Sequence, residues 1–139
     1  MPEPVTLNYL AILVSAIASM AVGFLWYSPL LFAKPWMALK GLTEEKLEAA
    51  KKQMGQMYAL SFGGAIVMAY VLAHFADYAV AVDWVTGAQV GFWAWLGFVA
   101  PVQMAEVLFG GKSWKLYMIN TGYQLASLLV MGGILGGWR

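Results

Sequence analysis

The sequence predicts an all-α membrane protein: four transmembrane helices in two hairpins, with a short amphipathic helix between spans one and two. Three observations predict it. The 139-residue chain is 62% hydrophobic and 11% charged, against about 45–50% and about 25% in soluble domains. Four runs, Leu7–Phe32, Met54–Phe75, Trp84–Phe109 and Leu116–Trp138, are nearly free of charge and reach the roughly 20 residues that cross a hydrocarbon core. These runs are apolar on every side, and a soluble chain this short could not bury four such helices. The length suits a single domain over residues 1–139.

Composition excludes several function classes. A net charge of +1 leaves no electrostatic footprint for nucleic acid. With no cysteine, the chain supplies no disulfide, zinc–thiolate or iron–sulfur site. No cofactor is expected.

The first span reads as a helix rather than a signal peptide, because its apolar run continues past the small residues Ala16-Ile17-Ala18 and no basic residue precedes it. Ala11, Ser15, Ser19 and Gly23 recur every four residues, a stripe that lets membrane helices approach closely. Trp26, Tyr27 and Trp36 then suit a membrane–water interface. Pro29 and Pro35 should bend or end the helix, since proline lacks a backbone donor. Two readings of Tyr27 and Ser28 stand open: an interfacial helix end, or hydroxyls that line a site.

Leu42 to Gln53 is the polar stretch. Thr43 suits an N-cap, and Glu44 and Glu45 fall where the helix dipole favours acid. Glu48 and Lys52 are at helical pair spacing. Leu47, Ala50, Met54 and Met57 mark an apolar face. This predicts a surface helix that runs into the second span with a bend at Gly55.

The second span carries small residues at Ser61, Ala65, Ala69 and Ala73 and ends near His74 and Asp77. That pair suits a helix end, with metal binding or proton relay as the sharper reading; two ligands make a weak metal site. The third span has Gly87 and Gly91 at four-residue spacing, and Pro101 should kink the helix. Glu106 is the carboxylate set inside an apolar run, with Gln103 one turn before it. The turn Gly110-Gly111-Lys112-Ser113 resembles the end of a phosphate loop, but Glu106 stands where that motif needs its first glycine, and no strand precedes it. The fourth span presents Tyr117, Asn120, Gln124 and Ser127 on one face, with Gly132, Gly133, Gly136 and Gly137 at its far end.

Seven lysines fall in the first and third connections, against one basic residue, Arg139, on the other side. The positive-inside rule then places both termini outside and residues 33–53 and 110–115 in the cytoplasm. Residues 31–36, LFAKPW, echo 108–114, LFGGKSW. This is the pattern of a parallel repeat of two hairpins; the alternative is a chance likeness.

WYSPLLFAKPW (26–36) and AEVLFGGKSWKLYMINTGYQLASLLVMGGILGGW (105–138) resemble the small bacterial membrane family designated domain of unknown function 1761. The resemblance covers nearly the whole chain. It implies a compact four-span protein of a bacterial cytoplasmic membrane. It carries no activity or residue role.

The candidate site is a buried polar patch of Gln103, Glu106, Asn120 and Gln124, with Tyr27, Ser28, Tyr117 and Ser127 as secondary members. Glu106 falls about 6 Å inside the helix end, level with Asn120, as Gln103 is with Gln124. The bland reading is a hydrogen-bonded clasp between helices. The first functional reading is a homo-oligomer that repeats Glu106 around an axis and passes small ions or solutes. The second is a non-catalytic accessory or scaffold protein that binds lipid or another membrane protein. Catalysis is the weakest reading, since the lone histidine is expected on the opposite side from Glu106. The partners expected are the lipid bilayer and further copies of the chain.

Overall fold

The structure is a computed structural model that describes residues 7–28, 33–41, 44–111 and 113–138. Its helices are α1 (Tyr9–Trp26), α2 (Ala33–Lys40), α3 (Glu44–Lys51), α4 (Met54–Tyr78), α5 (Trp84–Phe98), α6 (Ala100–Gly110) and α7 (Trp114–Gly137). No strand occurs among the described residues. Four helical lengths are long and apolar enough to cross a membrane: α1, α4, α5 with α6, and α7. At about 1.5 Å per residue, even α1 is about 27 Å long, close to the thickness of the hydrocarbon core.

α7 is the centre. It packs most extensively on α5, then on α1 and α4. The glycine spacing of the sequence explains the α5–α7 contact. A Cβ at Gly87 would overlap the Gly132 carbonyl, and one at Gly91 would overlap the Leu128 carbonyl. Only hydrogen at these positions lets the two backbones meet. On the other flank, Ala11, Ser15 and Ser19 of α1 are all buried. The stripes that motivate self-association are therefore used largely inside one chain. Ala11, Ile12, Ala69, Leu72, Leu128, Met131 and Leu135 form the apolar core. The buried face of α4 keeps Ala65 and Ala69 but turns to Leu72 and Ala76, leaving Ser61 exposed and Ala73 half-buried. A strict four-residue stripe drifts off one face because a helix turns every 3.6 residues or so.

Helix ends follow local chemistry. The Asn8 side chain accepts from Ala11 N–H at 3.1 Å and donates to the Trp138 carbonyl at 3.2 Å, joining the start of α1 to the end of α7. Asp83 and Thr86 form a capping box at α5. The Thr86 backbone N–H, then its hydroxyl, hold the Asp83 carboxyl below its ordinary value. Gly111, at φ 69°, is the left-handed C-cap of α6, and Ser113 caps α7 by accepting from Lys115 N–H. The glycine-rich turn is thus two caps back to back.

Three local expectations shift. Where one short amphipathic helix is expected, there are two. Pro35 lies in the first turn of α2, where its missing N–H has no intrahelical partner to lose. The bend expected at Gly55 lies earlier, at Lys52–Gln53 between α3 and α4. The Pro101 kink falls just upstream, at Val99 (φ −112°, ψ −58°), and leaves Pro101 in the first turn of α6. Pro29, Thr43 and Lys112 lie outside the described residues.

Candidate functional site

The polar side chains of α7 point at three neighbours. Towards α1, Asn120 Oδ1 accepts from the Tyr27 hydroxyl at 2.7 Å, the Tyr123 hydroxyl donates to the Ser19 carbonyl at 3.3 Å, and Ser127 pairs with Ser19 inside the bundle. Towards α6, Gln124 accepts from Gln103, and the Tyr117 hydroxyl donates to the Ala100 carbonyl at 2.8 Å beside the Val99 break. Towards α5, the Thr121 carbonyl accepts from Trp95 Nε1 at 2.8 Å. Mid-span Trp95 is therefore a packing residue with its N–H satisfied, while Trp93 is exposed.

The patch expected to be buried is half-open in the single chain. Gln103, Asn120 and Gln124 are half-buried and Glu106 is exposed. No residue of α6 is buried, so this helix meets α7 by one edge only. Gln103, Glu106, Tyr117 and Asn120 line a cleft of about 10 Å³, room for about one water. Gln124 joins the patch through Gln103. Ser28 turns back to the Leu25 carbonyl at 2.7 Å and stays a local helix-end contact.

His74 and Asp77 lie in the last turns of α4. His74 Nδ1 is 2.9 Å from the Tyr70 carbonyl, so Nδ1 carries the proton, and the ring packs between Tyr70 and Tyr78. No cluster of three metal-ligating side chains occurs among the described residues.

A second, larger site lies at the same end of the bundle. A half-enclosed cavity of about 590 Å³ is walled by five helices: α1 gives Met20, Gly23, Phe24 and the adjoining Tyr27, α2 gives Trp36, α3 gives Lys46 and Ala50, α4 gives Met54, Met57, Tyr58 and Ser61, and α7 gives Tyr123. Its aromatic walls are mutually braced. Tyr27 packs edge-on to Tyr123 at 5.5 Å and against Trp36 at 5.2 Å, while Phe24 meets Tyr58 at 5.4 Å. Gly23 makes room for the Tyr123 ring: a Cβ there would lie 3.2 Å from it. Trp26 locks the adjoining turn, donating Nε1–H to the Ile119 carbonyl at 2.8 Å over the open face of Gly122.

The sequence marks parts of this cavity without assembling them. The face of Ala50, Met54 and Met57 is visible as an apolar stripe, but it reads as membrane contact. Tyr27 is visible as a hydroxyl beside a helix end. Met20, Phe24, Tyr58 and Tyr123 carry no signal on their own, because they are spread over three apolar helices. The signal that could find it is the clustering of aromatic and methionine side chains near both ends of the first connection.

A central helix with polar side chains on it, packed among three other lengths that are also long and apolar enough to cross a bilayer, defines a small integral membrane protein. The chain belongs to the family of proteins of unknown function DUF1761, whose model matches residues 10–136, from the first turn of α1 to the last of α7. No curated protein and no solved structure matches it.

Proposed function

We propose that this protein is a non-catalytic membrane protein that holds a small amphipathic molecule in the cavity between α1, α3, α4 and α7. The observation that carries this reading is the cavity itself. About 590 Å³ is within the size range of small-molecule sites, roughly 300–1,000 Å³. Its lining has the composition of such sites: aromatic and methionine surface with a few polar groups, here Lys46, Ser61, Tyr27 and Tyr123. The orientation that goes with this reading puts the cavity in the cytoplasmic half, beside the lysine-rich first connection. Native mass spectrometry after purification in a mild detergent tests it. A retained mass of a few hundred daltons supports the reading; a bare protein that also takes up no added amphiphile contradicts it.

A second reading rests on Glu106. This carboxylate is exposed on α6, beside Val102, Leu108 and Phe109, which are 67%, 60% and 89% exposed. An acidic group on an apolar membrane face is costly unless protein, water or headgroups reach it. Self-association that covers α6 would bury the apolar side chains around it. A cleft with room for about one water gives one subunit no pathway, so permeation would run between copies. Glu106→Gln should then leave folding intact and abolish cation flux into proteoliposomes. Unchanged flux contradicts conduction, and monomers alone in several gentle detergents contradict self-association.

A further inference from the structure

We infer that the occupant of the cavity is a single-chain amphipathic anion, with a carboxylate or phosphate head at Lys46 and an apolar tail between α1 and α4. The inference rests on the binding reading above and adds the sign of the head and the size of the tail.

The sign comes from the lining. Among the described residues, Lys46 is the charged side chain at the cavity and no carboxylate lines it. Lys46 is exposed on α3, with its ammonium 3.4 Å from the Gly41 carbonyl, so the charge stays in reach of solvent. An anionic head there meets an opposite charge. The aromatic walls alone would also suit a quaternary ammonium, but that head would meet Lys46 as a like charge.

The size comes from the volume. At about 30 Å³ for each water-sized group, 590 Å³ holds roughly 20 non-hydrogen atoms. That is one long alkyl chain with a small head, and far less than a two-chain lipid. The walls suit such a chain. Met20, Met54 and Met57 are unbranched thioethers that conform to a bent tail, and Phe24 and Tyr58 offer flat apolar faces. The grooves between α4 and α5 differ. One, of about 320 Å³, is lined by apolar side chains from Val67 to Leu128, with nothing to read a head group.

The test is a binding titration on the full chain in a nonionic detergent, with palmitate, hexadecyl phosphate, hexadecanol and hexadecyltrimethylammonium as probes. The expected result is that at least one of the two anions binds about tenfold more tightly than the alcohol, the scale of one charge-assisted hydrogen bond, and that the ammonium probe binds least. The preferred anion identifies the head. Lys46→Gln should bring the anion down to the level of the alcohol, and Lys46→Arg should restore the gap. Equal binding of anion and alcohol, or a gap unchanged by Lys46→Gln, overturns the anionic head and leaves the cavity reading standing. Ser61→Trp fills the cavity from α4 and should remove binding of anion and alcohol alike. Binding of both that survives Ser61→Trp, in a variant with an unchanged helical spectrum, overturns the cavity reading itself.

Discussion

The Tyr27 hydroxyl donates to Asn120 Oδ1 at 2.7 Å across 93 positions of sequence, tying the end of α1 to the first turns of α7. Tyr27 faces the aromatic cavity, and Asn120 also lines the Glu106 cleft. One hydrogen bond therefore stands between the two polar regions. Tyr27→Phe keeps the ring contacts and removes the donor. It should destabilise the protein by about 0.6–2 kcal/mol, the range for such bonds in membranes and in protein interiors. Thermal melts of Tyr27→Phe, Asn120→Leu and the double variant should show losses that do not add. Fully additive losses would mean that the two side chains are not coupled.

The α5–α7 contact gives a sharper contrast. Gly132→Ala places a methyl against the Gly87 carbonyl, and overpacking of this kind costs about 1–3 kcal/mol or more. At Gly63 a Cβ meets nothing within 4 Å, so Gly63→Ala should leave the melting temperature unchanged or raise it. Equal melting of the two variants would contradict the close backbone approach.

The α4–α5 turn is strained at a defined place. Ala81 N–H bonds the Ala76 carbonyl and Val80 N–H bonds the Asp77 carbonyl, the two bonds of a Schellman ending. The left-handed position is held by Val80, at φ 56°, a region that β-branched side chains avoid. Val80 is 72% exposed, so little packing is lost on its removal. Val80→Gly should stabilise by about 1 kcal/mol, the cost of the left-handed conformation less the greater chain entropy of glycine. A lower melting temperature would show that this turn is not strained.

Acid sensitivity should trace in part to Asp83. Its folded value is depressed by the Thr86 donors, so its contribution is present above the ordinary carboxylate value of about 4. It is lost as pH falls through the lower folded value. Asp83→Asn keeps a capping oxygen without titrating, and its stability should fall less steeply over that window. Parallel acid profiles would remove Asp83 from the account.

Orientation is tested by single cysteines. Glu3→Cys should react with a membrane-impermeant reagent from outside, and Lys46→Cys only from the cytoplasmic side. Outside labelling of position 46 would reverse the arrangement.

Much of the fold is legible because its signals are local. Hydropathy alone places the spans, and the spacing of Gly87, Gly91, Gly132 and Gly136 announces close packing. What spacing cannot say is which partner a stripe meets: Ala11, Ser15 and Ser19 fit a second copy as well as α7. Breakers are legible as breakers but not to the residue. Pro101 sits in a first turn, so its break falls upstream at Val99, and Pro35 starts a helix that the sequence reading ends. On the candidate site, the face of Tyr117, Asn120, Gln124 and Ser127 is legible from one helix. The cavity is not, because Met20, Tyr58 and Tyr123 come from three helices and each alone reads as lipid contact.

On the binding reading, a small amphiphile lies between α1 and α4. Photo-crosslinking with a diazirine-bearing palmitate, mapped by peptide mass spectrometry, tests where the chain lies. Label is expected on Met20, Phe24, Met57 and Tyr58, and is lost in Ser61→Trp. Label confined to Val67, Phe75 and Phe98, in the apolar groove between α4 and α5, would contradict it.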